Sequence, residues 1–267
     1  MILCNFHTHT DFADGVSTPE ETVISAVSKG FHSLGFSEHS TSKDPRSFGM
    51  KGEAEAEYFR KIGELSEKYG GKITLLRGLE LDSFGYKTED YDYIIGSVHY
   101  LERGGEVFPI DLSEEAFCET VSALGGIERV IGSYFCAVAE MAKKIKPTII
   151  GHFDLIAKFN EGGKYFDESF SEYLAAAESA IEEIMPFCSL FEINTGAISR
   201  GYRSAPYPSV GILRLLKKHG CDIIINSDSH SAESLDCAFG LAERLIRDCG
   251  FTRRCELGKD GIRFVNI

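Results

Sequence analysis

Two histidines near the start of the chain have the spacing of a strand-borne metal-binding pair. His7 and His9 end a short apolar run, and Asp14 follows a few residues later. Successive side chains of a strand point to opposite faces, so a strand through this motif places both imidazoles on one face. Two imidazoles on one face can ligate the same metal ion. The alternative is a half-exposed strand end that binds nothing.

Histidines and carboxylates recur at the ends of other apolar runs. These runs have the length of strands and are separated by segments with helical periodicity, which is typical of a parallel α/β fold. Barrel enzymes build their sites at the carboxyl ends of such strands. The residues that we predict to ligate metal there are His7, His9, Asp14, His39, Glu80, His99, His152, Asp228 and His230.

The two remaining histidines provide an internal comparison. His32 precedes the second predicted strand, and His219 ends the helix before the seventh. A five-residue strand is about 17 Å long, so neither histidine can join a site at the carboxyl ends. We expect both to be surface or capping residues at the opposite rim.

The ligand types indicate which ions the site takes. Six imidazoles and three carboxylates are too many for one ion and predict two or three, with Glu80 as a bridge. Mixed nitrogen and oxygen ligands without thiolates favour zinc, manganese or iron over magnesium or calcium alone. Three divalent ions and three carboxylates give the site a charge of about +3, which suits a phosphate dianion and its transition state.

The strands and helices that position these residues can be placed from the apolar pattern. Thr18, Pro19 and Glu21 predict a capping box at the start of the first helix, which ends at Gly30. The other predicted helices are 53–69, 127–145, 167–185, 209–219 and 232–249. The predicted strands are 2–6, 33–37, 73–81, 93–98, 148–151, 190–193 and 222–226, with 262–265 as a last short addition. Seven strands predict an incomplete or distorted barrel.

Length and composition predict one cytoplasmic domain. The chain has 267 residues, of which 43% are hydrophobic, and we expect a single domain over 1–267 with an elaborated segment at about 100–146. Membrane-span and signal-peptide patterns are absent. The eight cysteines lack C-x-x-C spacing and are expected to be reduced. A net charge of -13 argues against nucleic acid as a partner, and the oligomeric state is left open.

Short motifs at the strand ends form a series that spans nearly the whole chain. In order they are HTHT at 7–10 with DG at 14–15, GFSEH at 35–39, GLE at 78–80, GSVH at 96–99, GHFDL at 151–155, EINT at 192–195 and NSDSH at 226–230. This series resembles the PHP (polymerase and histidinol phosphatase) superfamily. The long segment after His99 and the FDL continuation resemble its histidinol-phosphate phosphatase branch.

The resemblance implies a fold, a metal site and an activity. The fold is a distorted, TIM-like (β/α)7 barrel with a trinuclear site at the carboxyl ends of its strands. The resemblance assigns His7, His9, Glu80 and Asp228 to one metal, Glu80, His99 and His152 to a second, and Asp14, His39 and His230 to a third. The implied reaction is that of histidine biosynthesis in which L-histidinol phosphate gives L-histidinol and phosphate.

The predicted mechanism is attack of a metal-bridging hydroxide on a phosphate monoester. Glu80, Asp228 and His230 are the predicted catalytic residues. The leaving oxygen takes its proton from Asp228 or from a metal-bound water, and the sequence does not choose between them. No cysteine or serine lies beside an evident base, so a side-chain nucleophile is disfavoured.

Two loops are predicted to bind the small-molecule phosphate ester. Arg200 and Arg203 follow the sixth strand and are the candidates for the phosphate, with a solvated loop charge as the alternative for each. The substrate ammonium is expected to meet an acidic residue of loop 41–50, which contains Asp44, or of turn 108–111.

Three other functions remain as alternatives. The same machinery could act on nucleotides or short oligonucleotides, although the acidic composition and the lack of a basic, aromatic groove disfavour this. An amidohydrolase-type C–N hydrolase also begins with His-x-His on a barrel strand. A metal-binding regulatory module without activity is the third, and it is disfavoured because no ligand is missing.

Overall fold

The computed structural model describes residues 2–42, 48–51 and 53–267. Its strands are β1 (Cys4–Asn5), β2 (Ser33–Phe36), β3 (Thr41–Ser42), β4 (Thr74–Asp82), β5 (Gly85–Tyr86), β6 (Tyr93–Ser97), β7 (Tyr100–Arg103), β8 (Glu106–Pro109), β9 (Ile149–Ile150), β10 (Leu190–Asn194), β11 (Asp222–Asn226), β12 (Arg253–Gly258) and β13 (Gly261–Asn266). Its helices are α1 (Pro19–Ser28), α2 (Ala54–Tyr69), α3 (Glu114–Leu124), α4 (Ile127–Ile145), α5 (Ser171–Ile184), α6 (Gly196–Ser199), α7 (Val210–Lys218) and α8 (Phe239–Asp248).

The described residues form a nine-stranded sheet in the order β1-β2-β4-β6-β9-β10-β11-β12-β13. Neighbours from β1 to β12 are parallel, and β13 runs antiparallel to β12. The sheet curls because the segments after β1 and β11 meet, where Thr8 pairs with Ser229. His9 N–H also donates to the Ser229 carbonyl at 2.8 Å. The curl brings the carboxyl ends of the strands around one centre.

The predicted fold class, a distorted TIM-like barrel, is confirmed. The seven predicted strands are β1, β2, β4, β6, β9, β10 and β11, and the predicted addition at 262–265 is β13. The sequence did not predict β12, because its charged residues Arg254 and Glu256 interrupt the apolar pattern. The structure buries both and pairs them at 2.6 Å. One domain over 1–267 stays a prediction.

Local hydrogen bonds and one backbone angle explain where the first helix starts and why two other helices are shorter than predicted. The capping box of α1 is present. A helix predicted from Asp167 begins at Ser171, because the Asp167 carboxylate accepts the Ser169 N–H at 2.8 Å and forms a turn. The helix predicted over 232–249 is interrupted at Ala238, whose φ of 55° is left-handed, so α8 begins after it.

The strands that carry the site are buried on both faces, as expected for a parallel sheet covered by helices. Segment 100–146 contains the β7–β8 hairpin, α3 and α4, and α3 was not predicted. All eight cysteines are free. Within the described residues, no helix alone has the length and apolarity to cross a membrane; α3 and α4 would meet that test only as one unit bent by 97°.

Candidate metal centre

The nine residues predicted to ligate metal share one location at the carboxyl ends of the strands, and the structure brings all nine together. They form overlapping groups whose potential ligand atoms lie within 4.8 Å of one another. The groups are His7, Glu80 and His152; His7, His9 and Asp228; His39, Glu80 and His99; and His9, Asp14, His39 and His230.

Glu80 lies at the centre of the cluster and is buried. Its Oε2 lies 2.7 Å from His39 Nδ1, 3.4 Å from His7 Nε2 and 3.6 Å from His9 Nε2, and its Oε1 lies 2.8 Å from His152 Nε2 and 3.4 Å from His99 Nε2. Burial opposes ionisation, but the surrounding imidazoles, led by His39, hold the pKa of Glu80 well below its usual value. One carboxylate thus faces two groups of imidazoles, which is the geometry of a bridging ligand.

The spacing between ligand atoms suits metal coordination. His9 Nε2 lies 3.2 Å and His7 Nε2 lies 3.7 Å from Asp228 Oδ1. Ligand atoms at 2.0–2.1 Å from a tetrahedral ion are separated by about 3.3 Å. His7 Nε2 and His9 Nε2 are buried without a hydrogen-bond partner in the structure, and such an atom costs about 1–3 kcal/mol. A metal ion would satisfy both, so these residues fit one.

Glu192 on β10 orients the His7 ring through the ring nitrogen that faces away from the cluster. His7 Nδ1 donates to Glu192 Oε1 at 2.7 Å, and Asn226 Nδ2 donates to the same oxygen at 2.9 Å. The other oxygen accepts from Asn194 Nδ2 at 2.8 Å and from the His152 N–H at 2.9 Å. A carboxylate only accepts, so Nδ1 of His7 carries a proton, and Nε2 is the ring nitrogen directed at the centre of the cluster.

Glu192 was quoted in a sequence motif but was not predicted to act in the site. The signal that could have identified it is a carboxylate in the middle of an apolar strand, since a buried charge requires partners. Asp82 is a similar omission. It lines the cavity, and its Oδ2 accepts from the His99 backbone N–H at 3.0 Å and lies 3.2 Å from His99 Nδ1.

Glu38 holds the loop that carries His9 and Asp14. Its Oε1 accepts from the Thr10 hydroxyl at 2.6 Å and from the Thr10 N–H at 2.9 Å. Burial raises the pKa of Glu38 to about 8. Gly15 lets the same loop turn closely, because a Cβ there would lie 2.5 Å from the His9 carbonyl oxygen. Asp14 consequently lies 3.6 Å from His39 Nε2 and 3.3 Å from His230 Nε2.

A cavity of about 210 Å³ opens above the cluster. Seven of the nine predicted ligands line it, all except His7 and His9, and the lining also includes Asp82, Tyr100, Asp111, Lys158, Arg200 and Tyr202. Asp111 comes from the predicted turn 108–111, and its Oδ2 lies 3.2 Å from Lys158 Nζ. Lys158 lowers the pKa of Asp111 although burial opposes this. Asp44, the other candidate for the substrate ammonium, lies outside the described residues.

The two predicted phosphate-binding arginines lie in different places. Arg200 lines the cavity; its guanidinium donates to Asp228 Oδ2 at 2.9 Å, and another of its nitrogens lies 2.7 Å from His230 Nδ1. Arg203 is not among the described residues that line the cavity, and it pairs through two nitrogens with Glu168 at 2.8 and 2.9 Å. Gly201, with φ of 74°, reverses the chain between them.

The two comparison histidines lie outside the cavity. His219 Nε2 is 2.8 Å from Glu178 Oε1 on α5, and His32 Nε2 is 3.3 Å from Glu256 Oε2 on β12. Neither lines the cavity. This placement agrees with the prediction that both lie away from the metal cluster.

Known proteins share both the sequence pattern and the fold. A protein of Schizosaccharomyces pombe named a probable histidinol-phosphatase is 28% identical over 266 residues, covering 91% of this chain and 85% of its own length. The histidinol-phosphatase of Bacillus subtilis is 27% identical, covering 87% of this chain and 95% of its own.

A solved structure shows the same fold. Histidinol phosphate phosphatase of Lactococcus lactis, determined with zinc, L-histidinol and phosphate, superimposes with a TM-score of 0.74 at 24% identity, covering 97% of this chain and 98% of its own. The family model of the PHP domain matches residues 5–196, which is well over half of the sequence. This span contains seven of the nine clustered residues, and the chain therefore belongs to the PHP domain family.

Proposed function

We propose that the protein is a metal-dependent histidinol-phosphatase, a phosphoric monoester hydrolase that converts L-histidinol phosphate to L-histidinol and phosphate. The observation that carries this proposal is the cluster of nine histidines and carboxylates, seven of which line a small cavity that also contains an arginine. Two relatives that match most of the chain bear this name. A protein of the same fold binds zinc, L-histidinol and phosphate.

The donor set fits two or three zinc, manganese or iron ions. We propose that three groups of residues would ligate these ions: His7, His9, Glu80 and Asp228; Glu80, His99 and His152; and Asp14, His39 and His230. When bound, such ions lower the pKa of water and polarise phosphate oxygens. Glu80 belongs to two groups because its Oε2 faces His7 and His9, whereas its Oε1 faces His99 and His152.

Arg200 is the proposed phosphate-binding side chain. Its Nε is buried and has no hydrogen-bond partner in the structure, while its two terminal nitrogens hold Asp228 and His230. The terminal nitrogen that donates to Asp228 carries a second N–H, which can donate to a phosphate oxygen in the cavity. Arg203 is committed to Glu168, so we assign the phosphate contact to Arg200 alone.

Asp228 is the proposed proton carrier. Burial opposes its ionisation, but Arg200 and then His7 hold the pKa of Asp228 well below its usual value. An ionised carboxylate has no proton to give until it accepts one. We assign to Asp228 the transfer of a proton from the attacking water to the leaving oxygen; its low pKa means that it holds the proton only briefly and gives it up readily. His230, held by Arg200 on one side and near Asp14 on the other, keeps this edge of the cavity in place.

Asp111 is the proposed partner of the substrate ammonium. Its carboxylate lies in the cavity lining, and Lys158 keeps it ionised by occupying one oxygen. The other oxygen can accept from an ammonium group. Tyr202 and Phe48 line the same cavity and are partly exposed, so they offer ring faces to an imidazole.

The test is release of phosphate by the metal-loaded protein from L-histidinol phosphate, a deoxynucleotide, a dinucleotide and an amide, together with elemental analysis. Fast release from L-histidinol phosphate with two to three transition-metal ions per chain is expected. Asp228→Asn should abolish it, whereas Asp222→Asn, at the opposite end of the same strand, should not. Faster turnover of the nucleotide or the amide, or fewer than two ions in active protein, would contradict the proposal.

A further inference from the structure

A second group of metal-type ligands lies at the amino-terminal end of the barrel. Cys4 on β1, His32 directly before β2 and Glu256 on β12 have potential ligand atoms within 4.8 Å of one another. None of the three lines the catalytic cavity. We propose that this group binds one divalent ion of the zinc class, independently of the catalytic cluster.

The spacing of the group resembles metal coordination. His32 Nε2 lies 3.3 Å from Glu256 Oε2. That separation equals the edge of a tetrahedron with bonds of 2.0–2.1 Å, about 3.3 Å, and it exceeds the usual 2.7–3.2 Å or so of an N–H···O hydrogen bond. Thiolate, imidazole and carboxylate together form a donor set typical of zinc, and three protein ligands leave a fourth position for water.

Neighbouring side chains already orient two of the three ligands. The Ser33 hydroxyl lies 2.9 Å from His32 Nδ1, which turns Nε2 towards Glu256. Metal-binding histidines commonly have such a partner on the other ring nitrogen. Arg254 donates to Glu256 Oε1 at 2.6 Å and so fixes the carboxylate with Oε2 on the His32 side.

Burial and charge also suit one divalent ion. Cys4, Glu256 and Arg254 are buried, whereas the His32 side chain is 45% exposed and provides access from solvent. On binding, the thiol S–H bond of Cys4 breaks, a bond from sulfur to the ion forms, and the proton leaves to solvent. Thiolate and carboxylate then contribute two negative charges and Arg254 one positive charge, so a divalent ion leaves a net charge of about +1.

The ion would join β1 and β2 to β12, strands that are far apart in the sheet order and do not pair directly with each other. Cys4 and His32 belong to the β1–β2 side, and Glu256 belongs to β12 near the other edge of the sheet order. Loading the site should therefore raise the melting temperature.

Cobalt(II) titration of protein that starts with only the two to three ions of the catalytic cluster bound tests this inference. The catalytic cluster contains no thiolate, so a near-ultraviolet sulfur-to-cobalt charge-transfer band would report the second site alone. We expect one additional ion per chain and such a band. Cys4→Ser should lose both while keeping phosphatase activity, and Cys136→Ser, which removes an exposed cysteine of α4, should keep both.

His32→Gln provides a second variant, because this partly exposed side chain can be replaced without disturbing the core. It should weaken cobalt binding at least tenfold, even if Cys4→Ser fails to fold. Absence of the band in the wild-type protein, its persistence in folded Cys4→Ser, or unchanged cobalt affinity in His32→Gln would overturn the proposal. Phosphatase activity is measured in parallel, and its absence would count against the proposed function rather than against this site.

Discussion

Replacing Glu192 by glutamine tests whether the side chains beneath the metal cluster control its affinity. The carboxylate accepts four hydrogen bonds, from His7 Nδ1, Asn226 Nδ2, Asn194 Nδ2 and the His152 N–H. Glutamine has nearly the same shape, but its NH2 group would face donors where an oxygen now accepts. At least one buried donor loses its partner, and His7 loses a charged acceptor.

The expected size follows from these contacts. Loss of a hydrogen bond to a charged group costs about 1.5–3 kcal/mol, and loss of such a partner behind a metal-binding histidine typically reduces metal affinity or activity about 10–100-fold. We expect Glu192→Gln to bind metal about 10–100-fold more weakly, which corresponds to roughly 1.4–2.8 kcal/mol. Because Glu192 does not line the cavity, excess metal should restore most of kcat.

The assay is kcat/KM for L-histidinol phosphate against free zinc or manganese concentration, with bound metal measured at each point. Glu178→Gln is the matched control, since Glu178 also contacts a histidine, His219, at 2.8 Å but lies on α5 away from the cavity. The control should be unchanged. A Glu192→Gln protein with metal affinity within about twofold of wild type would refute the reasoning.

Four further outcomes are expected. Arg200→Met should lower kcat/KM at unchanged metal content. Arg203→Met should leave kcat/KM nearly unchanged but reduce the free energy of unfolding in urea by about 2 kcal/mol, because its pair with Glu168 is lost. The opposite pattern would reverse our assignment of the two arginines. Asp111→Asn should raise KM for L-histidinol phosphate but not for a phosphate ester without an ammonium group, and an equal effect on both esters would exclude an ammonium contact. Gly15→Ala should displace the loop of Asp14 and lower metal occupancy, because its Cβ would lie 2.5 Å from the His9 carbonyl oxygen; full occupancy would contradict this. Chelation should abolish activity and lower the melting temperature, since buried imidazole nitrogens lose their partner, and activity that survives complete metal removal would refute metal dependence.

Much of the site was predictable because its residues are arranged by local spacing. His7 and His9 share a strand face whatever the rest of the chain does, and Asp228 and His230 repeat this spacing. Parallel strands end at one edge of a sheet, so ligands at successive strand ends must converge. The family could be recognised for the same reason, since its motifs coincide with the strand ends.

Other parts of the fold and site depended on distant contacts. β12 could not be predicted from its pattern, because Arg254 and Glu256 are charged and become buried only by pairing with each other. Glu192 became part of the site only through His7, 185 residues earlier in the chain. No sequence pattern predicts either the burial of the Arg254–Glu256 pair or the contact between Glu192 and His7.

The sequence alone determined the ligand types, their positions at the strand ends and the fold class, because periodicity of two and parallel pairing act over short stretches. Only the tertiary structure decided which arginine reaches the cavity, since a reversal at Gly201 separates Arg200 from Arg203. It likewise decided that His32, predicted to lie at the far rim, lies beside Cys4 and Glu256. Glu256 lies more than 200 positions from the other two residues in the sequence, and the curl of the sheet brings them together.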